Sequence, residues 1–366
     1  MNVGILGNNL TSLILAKALA NKKLNVTLFY KSKINLPKSN RCIGITSKNL
    51  EFIEKNICKI EKKFFKSINE ILIYSEINRN EEAIKFKKKG SSLLNIIKIH
   101  NLLSILTSKL RRNKFFKQKK ILKKNFYESI IKDKKYDLIF NCEKNNKLTK
   151  KYFYQNYKKD YKSEAITFNL YHSKIHNNKA VQIFTKFGPL AFLPISSYET
   201  SVVFSMYIQD KNFTEKEITD LIKFYNKSYK INKISKIEKA KLLFSSARKY
   251  HSGKILLFGD ILHQIHPLAG QGFNMTLRDL KTLLDIIQKK MNLGLNLDRT
   301  VNEEFEKQIK HYNFIYSNGI NFIQDFFKLD SKYQNKFSSK IFNLINKNKF
   351  FNNFFTKIAD EGININ

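Results

Sequence analysis

The stretch Gly259-Asp260-Ile261-Leu262-His263-Gln264-Ile265-His266-Pro267-Leu268-Ala269-Gly270-Gln271-Gly272-Phe273-Asn274-Met275-Thr276-Leu277-Arg278-Asp279 decides how this chain is read. Ahead of it, Ile255-Leu256-Leu257-Phe258 is a short uncharged apolar run, the pattern of a buried strand. Behind it, Phe273, Leu277, Leu280, Leu284 and Ile287 recur at helical spacing on one stripe. Glycines, one proline and a carboxylate fill the loop between strand end and helix start. Such a loop suits an extended polar ligand. Asp260 accepts from hydroxyls, Gly259, Gly270 and Gly272 admit close backbone approach, and the helix start offers free N–H groups to negative charge.

Read as a motif, the stretch has the form GDxxHxxHPxAGQGxNxxxxD, with every fixed position present. It resembles the second flavin-binding motif of the ubiquinone-biosynthesis aromatic hydroxylases, a branch of the class A FAD-dependent monooxygenases. The resemblance implies an α/β fold. A Rossmann-like FAD-binding domain would span 1–75, 96–150 and 248–330, with an inserted antiparallel β-sheet substrate domain at 76–95 and 151–247. A C-terminal helical region would follow at 331–366.

The start of the chain reads the same way. Val3-Gly4-Ile5-Leu6 is a strand, Gly7 a turn, and Leu13, Ala16, Ala18 and Leu19 mark a helix before the strand Val26-Thr27-Leu28-Phe29. That is a dinucleotide-binding βαβ unit. Of its glycine fingerprint only Gly7 remains, with Asn9 and Ser12 at the other two positions. Asn tolerates positive φ and Ser is small, so both are kept as cofactor-binding positions. The family places a Glu at the end of the second strand to hold the adenosine ribose. Here the residue is Tyr30, at a cost of about 1–3 kcal/mol for the lost charge-assisted bonds. Arg41 matches the arginine that the family sets along the FAD pyrophosphate. A mid-chain Ala-Asp-Gly turn of the family is replaced after the strand Asp137–Phe140 by Cys142-Glu143-Lys144.

Composition points to no nucleic-acid partner. The formal charge is +37, but only seven of the 67 basic residues are Arg and the lysines are spread throughout. Cys42, Cys58 and Cys142 have no paired spacing, which argues against a disulfide framework or a zinc site and for a reducing cytoplasm. The apolar stretch 10–20 lacks a basic n-region and contains Lys17, so it reads as the first helix.

Residues 164–209 alternate as half-buried strands around Gly188 and Pro189, inside a segment close to the family's GPxAxxP. By resemblance this sheet roofs the flavin and bounds the substrate cavity. The basic stretch 111–125 reads as a solvated connection. A helical pattern over Glu303–Leu329 puts Phe305, Ile309, Ile315, Phe322, Ile323 and Phe326 on one face, with Gly319 a weak point. Lys alternates with Phe, Ile and Leu over 336–357, which suits either an interfacial membrane helix or a helix packed on its own domain.

By resemblance the function is FAD-dependent hydroxylation of a polyprenylated phenol in ubiquinone biosynthesis. NAD(P)H is the reductant, and an oxygen adduct of the reduced flavin attacks the ring. The cofactor-binding set is Gly7, Asn9, Ser12, Tyr30, Arg41, Gly259, Asp260, Pro267, Gly270, Gln271, Gly272 and Asn274. Gly188, Pro189, His263 and His266 are placed on the substrate side. The two histidines have H-x-x-H spacing, yet no third metal ligand stands out and no catalytic residue beyond the flavin is singled out. The protein is expected in the cytoplasm, peripheral on the inner membrane face, in contact with a ubiquinone-biosynthesis assembly. The alternative is a weakly FAD-binding or non-binding relative, serving that assembly as a lipid-binding or scaffold subunit.

Overall fold

The computed structural model describes residues 1–32, 41–76, 84–87, 92–123, 125–208, 213–267 and 270–333. Six strands form the first sheet: β1 (Asn2–Leu6), β2 (Asn25–Tyr30), β8 (Phe116–Lys120), β9 (Leu138–Asn141), β16 (His251–Ser252) and β17 (Ile255–Leu257). Their order is β16-β17-β9-β1-β2-β8, with every neighbouring pair parallel except β16 and β17. Helix α1 (Leu10–Asn21) joins β1 to β2 and is buried from Thr11 to Ala20. It lies against α3 (Ile99–Arg111) and α7 (Gln271–Asn292) as well as the sheet, which explains why it is apolar all round. The short helices α4 (Phe126–Lys132) and α5 (Lys147–Tyr152) flank β9 in sequence.

The basic stretch 111–125 is not merely a connection, because it holds β8. This edge strand pairs with β2 while its side chains stay largely exposed. Lysines on an edge strand remove the hydrophobic alternation that would have announced it.

A second, three-stranded antiparallel sheet has the order β3 (Cys42–Thr46), β7 (Leu94–Lys98), β4 (Phe65–Ile68). Helix α2 (Ser47–Asn56) follows β3 directly.

The third sheet has nine strands. Its path runs β18 (His263–Gln264), β15 (Glu238–Ala247), β10 (Asn156–His172), β13 (Glu199–Tyr207), β12 (Gly188–Pro194), β11 (Lys179–Thr185), β5 (Glu70–Ser75), β6 (Ile84–Lys87), and β14 (Ile231–Ile234) pairs with β10. Strand β5 falls inside the span 1–75 that the sequence assigned to the nucleotide unit. It instead pairs in parallel with β11, since the chain passes to the large sheet just after β4. On one face of this sheet Phe168, Phe192 and Phe204 pack with Ile218, Ile222 and Tyr225 of α6 (Glu215–Tyr225). On the other, Tyr161, Phe184 and Phe244 meet Met275 of α7 and Tyr316 and Ile320 of α8 (Arg299–Tyr333).

The expected stripe on α8 holds at Phe305 and Ile309 and fails at Phe322, which is 71% exposed. The buried line runs instead through Asn313, Tyr316, Ile320 and Gln324, a spacing of three or four that turns residue 322 outward. Gly319 does not interrupt the helix. Residues 336–357, read as a membrane or packing helix, lie outside the described residues. Among those described, no helix is long and apolar enough to cross a membrane.

Candidate functional site

The site is built where strand ends meet two helix starts. After β17 the chain turns at Gly259, with φ +81°. A Cβ there would lie 2.2 Å from Thr11 Cγ2, in the first turn of α1, so the close packing of helix on strand end requires glycine. Gly7, with φ +116°, brings the end of β1 against the Cys142 backbone just past β9.

Asp260 follows at this junction and is exposed. Protein crowds it closely enough that desolvation raises its carboxyl above the usual range, while His263, Arg41 and Lys144 pull it back down. No hydrogen bond reaches its carboxylate among the described residues. It is an accessible acceptor ringed by cationic groups. The neighbouring Cys142 thiol is pushed up by burial, and the Asp260 charge adds to that rise.

Helix α7 opens on Gly270, with φ +66° and no side-chain cap. A Cβ on Gly270 would sit 3.4 Å from the Gly44 nitrogen of β3. The N-cap position thus offers no side-chain oxygen to the first-turn amides, those of Gln271 and Gly272 among them. The expected cofactor contact at Asn274 is through its backbone, and its side-chain amide is used within the chain. Its Oδ1 accepts from the Thr46 N–H at 3.0 Å and Asn49 Nδ2 at 2.9 Å. Its Nδ2 donates to the carbonyls of Gly44 at 2.8 Å and Gly270 at 3.1 Å. The residue clamps α7 onto β3. Gln271 accepts from the Tyr316 hydroxyl at 2.6 Å, and the Arg278 guanidinium lies 4.1 Å from the Tyr316 ring centroid.

His263 and His266 differ sharply. His263 Nε2 lies 2.7 Å from Asp279 Oδ2, and Asn313 donates to both oxygens of that carboxylate at 3.2 Å. His263 is thus a buried, braced side chain, although its Nδ1 has no partner. His266, also fully buried, has no partner at either nitrogen, and burial lowers its pKa to about 4. Pro267 follows it at the approach to α7, while Leu268 and Ala269 lie outside the described residues.

At the α1 start the arrangement is reversed. Asn9 Oδ1 accepts from the Ser12 N–H at 2.9 Å, and Ser12 Oγ accepts from the Asn9 N–H at 2.8 Å. This reciprocal capping box satisfies two of the free donors of the helix. Asn9 Nδ2 also donates to the Cys142 carbonyl at 2.9 Å. Asn9 has φ −131°, so it serves through its side chain and not through a left-handed backbone, contrary to the expectation from sequence. Tyr30 is half-buried against the main core. Beside it in sequence, Lys31 lies 3.5 Å from Glu143, which also accepts from the Tyr127 hydroxyl at 2.9 Å.

Gly188 and Pro189 start β12 and are buried. Gly188 has φ +125°, and a Cβ there would lie 2.0 Å from the Ser205 carbonyl oxygen, so close strand packing accounts for the glycine. Pro189 pairs with Phe184, which belongs to the aromatic cluster around Tyr161.

The structure thus brings Gly7, Arg41, Gly259, Asp260 and His263 around one junction. Sequence reading named Lys144 only as a departure from the family's turn and passed over Tyr161 and Asn313, whose proximity comes only from the fold. Asp279 was legible as the last fixed position of the motif, but its pairing with His263 was not. These residues fit FAD best on the α7 side, where Asp260 offers an exposed carboxylate near Arg41 and α7 has glycine at its N-cap. At the α1 end the fit is looser, because the helix caps itself and Tyr30 stands in place of a carboxylate.

An FAD binding domain family matches residues 154–292. Ubiquinone hydroxylase UbiL of Rhodospirillum rubrum is 26% identical over 144 residues, 36% of this chain and 32% of that protein. The mitochondrial ubiquinone biosynthesis monooxygenase COQ6 of Saccharomyces cerevisiae is 32% identical over 104 residues, 26% of this chain and 22% of that protein. The 3-demethoxyubiquinol 3-hydroxylase of Escherichia coli is 29% identical over 119 residues, 31% of this chain and 30% of that protein. The matches span about a third or less of these relatives' lengths. Among solved structures, p-nitrophenol 4-monooxygenase PnpA from Pseudomonas putida superposes with a TM-score of 0.77, covering 98% of both chains at 11% identity. PqsL, described as a probable FAD-dependent monooxygenase from Pseudomonas aeruginosa, gives 0.68 over 95% of this chain and 100% of that one, also at 11% identity. The fold is that of the class A flavin monooxygenases, and over part of its length the chain is similar to FAD binding domains and to ubiquinone-biosynthesis hydroxylases.

Proposed function

We propose that this protein is an FAD-dependent monooxygenase that hydroxylates the aromatic ring of a polyprenylated phenol in ubiquinone biosynthesis, with NAD(P)H as reductant. The observation that carries this reading is the exposed Asp260 carboxylate at the end of β17, with Arg41 and Lys144 acting on it, in a loop that leads into the 22-residue helix α7 with glycine at its N-cap. Bound there, FAD would supply the redox and oxygen chemistry that side chains lack.

The residues of the chain have separate tasks in this reading. Asp260 accepts hydrogen bonds from the cofactor's hydroxyl-bearing chain, and Arg41 faces its phosphates. The N–H groups of Gln271 and Gly272 stabilise negative charge at the reduced ring. Gly7, Gly259 and Gly270 keep side chains out of the space where the cofactor approaches backbone. The clamp of Asn274 on β3 and the bracing of His263 by Asp279 hold this loop in place before any ligand arrives. The six-stranded and three-stranded sheets then make up the cofactor unit, and the nine-stranded sheet forms the substrate wall.

The self-capped α1 start and Tyr30 favour a second reading, a relative that has lost tight FAD binding and serves a lipid-binding or scaffold role. Absorbance of the purified full chain separates the two. Flavin bands, with NAD(P)H oxidation stimulated by a prenylated phenol, are expected for the enzyme. Colourless protein that stays empty in millimolar FAD would exclude it.

A further inference from the structure

The nine-stranded sheet carries a cavity of about 180 Å³ between its strands β5, β11 and β12 and the end of α6. Strand register fixes the floor. Val181 of β11 stands opposite Leu72 of β5 on one side and Phe192 of β12 on the other, and Ile183 stands opposite Tyr74. Cross-strand partners share a face, and successive residues alternate between faces. Ile73 and Phe184 accordingly join the cluster under α7 and α8, whereas Tyr74, Val181, Ile183 and Phe192 join the cluster under α6. The cavity therefore lies on the face of the sheet turned away from α7 and α8.

Its roof is aromatic and braced. Phe224 and Tyr225 close α6, and the turn at 226–229 follows. Asn226 Oδ1 accepts from the N–H groups of Ser228 at 3.2 Å and Tyr229 at 2.9 Å. The Tyr225 hydroxyl donates to Glu76 at 2.8 Å, and the Tyr229 hydroxyl donates to Asn177 Oδ1 at 3.2 Å. The Tyr229 ring lies 5.9 Å from that of Phe192. On the lip, Phe224 is 61% exposed.

One end of the cavity is cationic. Two residues before Val181, Lys179 stands opposite Glu70 of β5, which also faces Lys87 of β6, and Lys85 stands opposite Leu72. The Glu70 carboxylate meets the ammonium groups of Lys179 at 2.8 Å, Lys87 at 3.2 Å and Lys85 at 3.7 Å. One negative charge shared by three positive ones leaves a surplus of positive charge there. Lys179 and Lys227 line the cavity, and among the described residues no carboxylate does. Glu76 marks the other end, two residues past Tyr74.

We propose that this cavity binds a single aromatic ring bearing a carboxylate on a short arm, with the ring over Val181 and Phe192 and the carboxylate toward Lys179. Size sets the ligand's bulk. A cavity of about 150 Å³ holds benzene, so one of about 180 Å³ holds one ring and a short arm. Phe192, Tyr225 and Tyr229 offer the ring edges and faces that an aromatic guest packs against. Two residues along a strand span about 7 Å, close to the reach from ring centre to carboxylate in 3-phenylpropanoate. The carboxylate gives the lysine row a second acceptor beside Glu70 through charge-assisted hydrogen bonds. This site is separate from the cofactor junction and does not depend on FAD.

The test is calorimetric titration of the full chain with 3-phenylpropanoate and with its neutral amide, 3-phenylpropanamide. The wild type is expected to bind the acid with a Kd of about 1 mM or below, and about tenfold tighter than the amide, with or without saturating FAD. Lys179→Met should cut that preference to about threefold or less, and Val181→Phe, which fills the floor, should abolish binding. Phe224→Trp places a tryptophan on the exposed lip of a chain that has none, and its emission should shift as the acid binds. That variant covers the case in which Val181→Phe fails to fold. Equal binding of acid and amide overturns the assignment, as does no saturation by about 10 mM. Binding that survives in Val181→Phe, or leaves the tryptophan emission unmoved, places the ligand elsewhere and also overturns it. Competition between the acid and FAD overturns the separateness of the site.

Discussion

Two helices start at the same junction and treat their free amides in opposite ways. Helix α1 turns Asn9 and Ser12 on each other and closes its own start. Helix α7 opens on a left-handed glycine with no side-chain cap, downstream of a carboxylate that nearby charges act on and no hydrogen bond reaches among the described residues. A cap adds about 1 kcal/mol to a helix, so leaving α7 uncapped costs stability that a ligand can return. Capping α1 does the reverse, securing the fold where a pyrophosphate would otherwise be received. On the proposed FAD reading, the difference teaches that this chain would keep its grip at the flavin-ring end and relax it at the adenosine end.

The largest expected effect breaks the junction itself. Gly259→Ala puts a Cβ 2.2 Å from Thr11 Cγ2 at φ +81°, and should destabilise the protein by about 3 kcal/mol or more. Chemical denaturation measures this. Adding Thr11→Ala should recover only part of the loss, because the backbone strain remains. Full recovery would mean that the contact alone, and not the positive φ, demands glycine.

Asp260→Asn comes next and should weaken FAD binding by about 2 kcal/mol, roughly thirtyfold, through loss of a charge-assisted acceptor. The ligand-free protein should respond in the opposite direction. The folded state raises the pKa of Asp260, so the group stabilises only below the ordinary carboxylate range and loses that contribution as pH rises through its folded pKa. At neutral pH the Asn variant should therefore melt no lower than the wild type, and its advantage should vanish at acid pH. An Asn variant that melts lower at pH 7 would make Asp260 a structural residue.

The smallest effect sharpens the other end. Tyr30→Glu restores a carboxylate at the end of β2 and should tighten FAD about tenfold. An unchanged dissociation constant would mean that the adenosine is held by something other than this position.

Much of this was legible in the chain. The strand-turn-helix at Met1–Ser32, the strand before Gly259 and the apolar stripe of α7 all follow from periodicity, because each has one uniform environment along its length. Elements with mixed environments escaped. Strand β8 is lysine-covered at a sheet edge, and β5 changes sheets within two residues of β4. At the site, the residue types were visible but their partners were not. The side chain of Asn274 reads as free for a ligand until β3, α2 and the start of α7 are seen to take its hydrogen bonds. Asn9 and Ser12 show the spacing of a capping pair in plain sequence, and comparison with a glycine fingerprint hid it. The contrast between His263 and His266 depends on Asp279 and Asn313, which only the fold brings together.

The most direct test of unequal grip compares FAD with FMN, which shares the flavin ring and sugar-alcohol chain but lacks the adenosine. Both dissociation constants are measured by fluorescence titration of the ligand-free full chain. A grip concentrated at α7 and Asp260 predicts that the two differ by no more than about tenfold, or roughly 1.4 kcal/mol. FAD binding a thousandfold tighter than FMN would place the main grip at the α1 end and contradict the account.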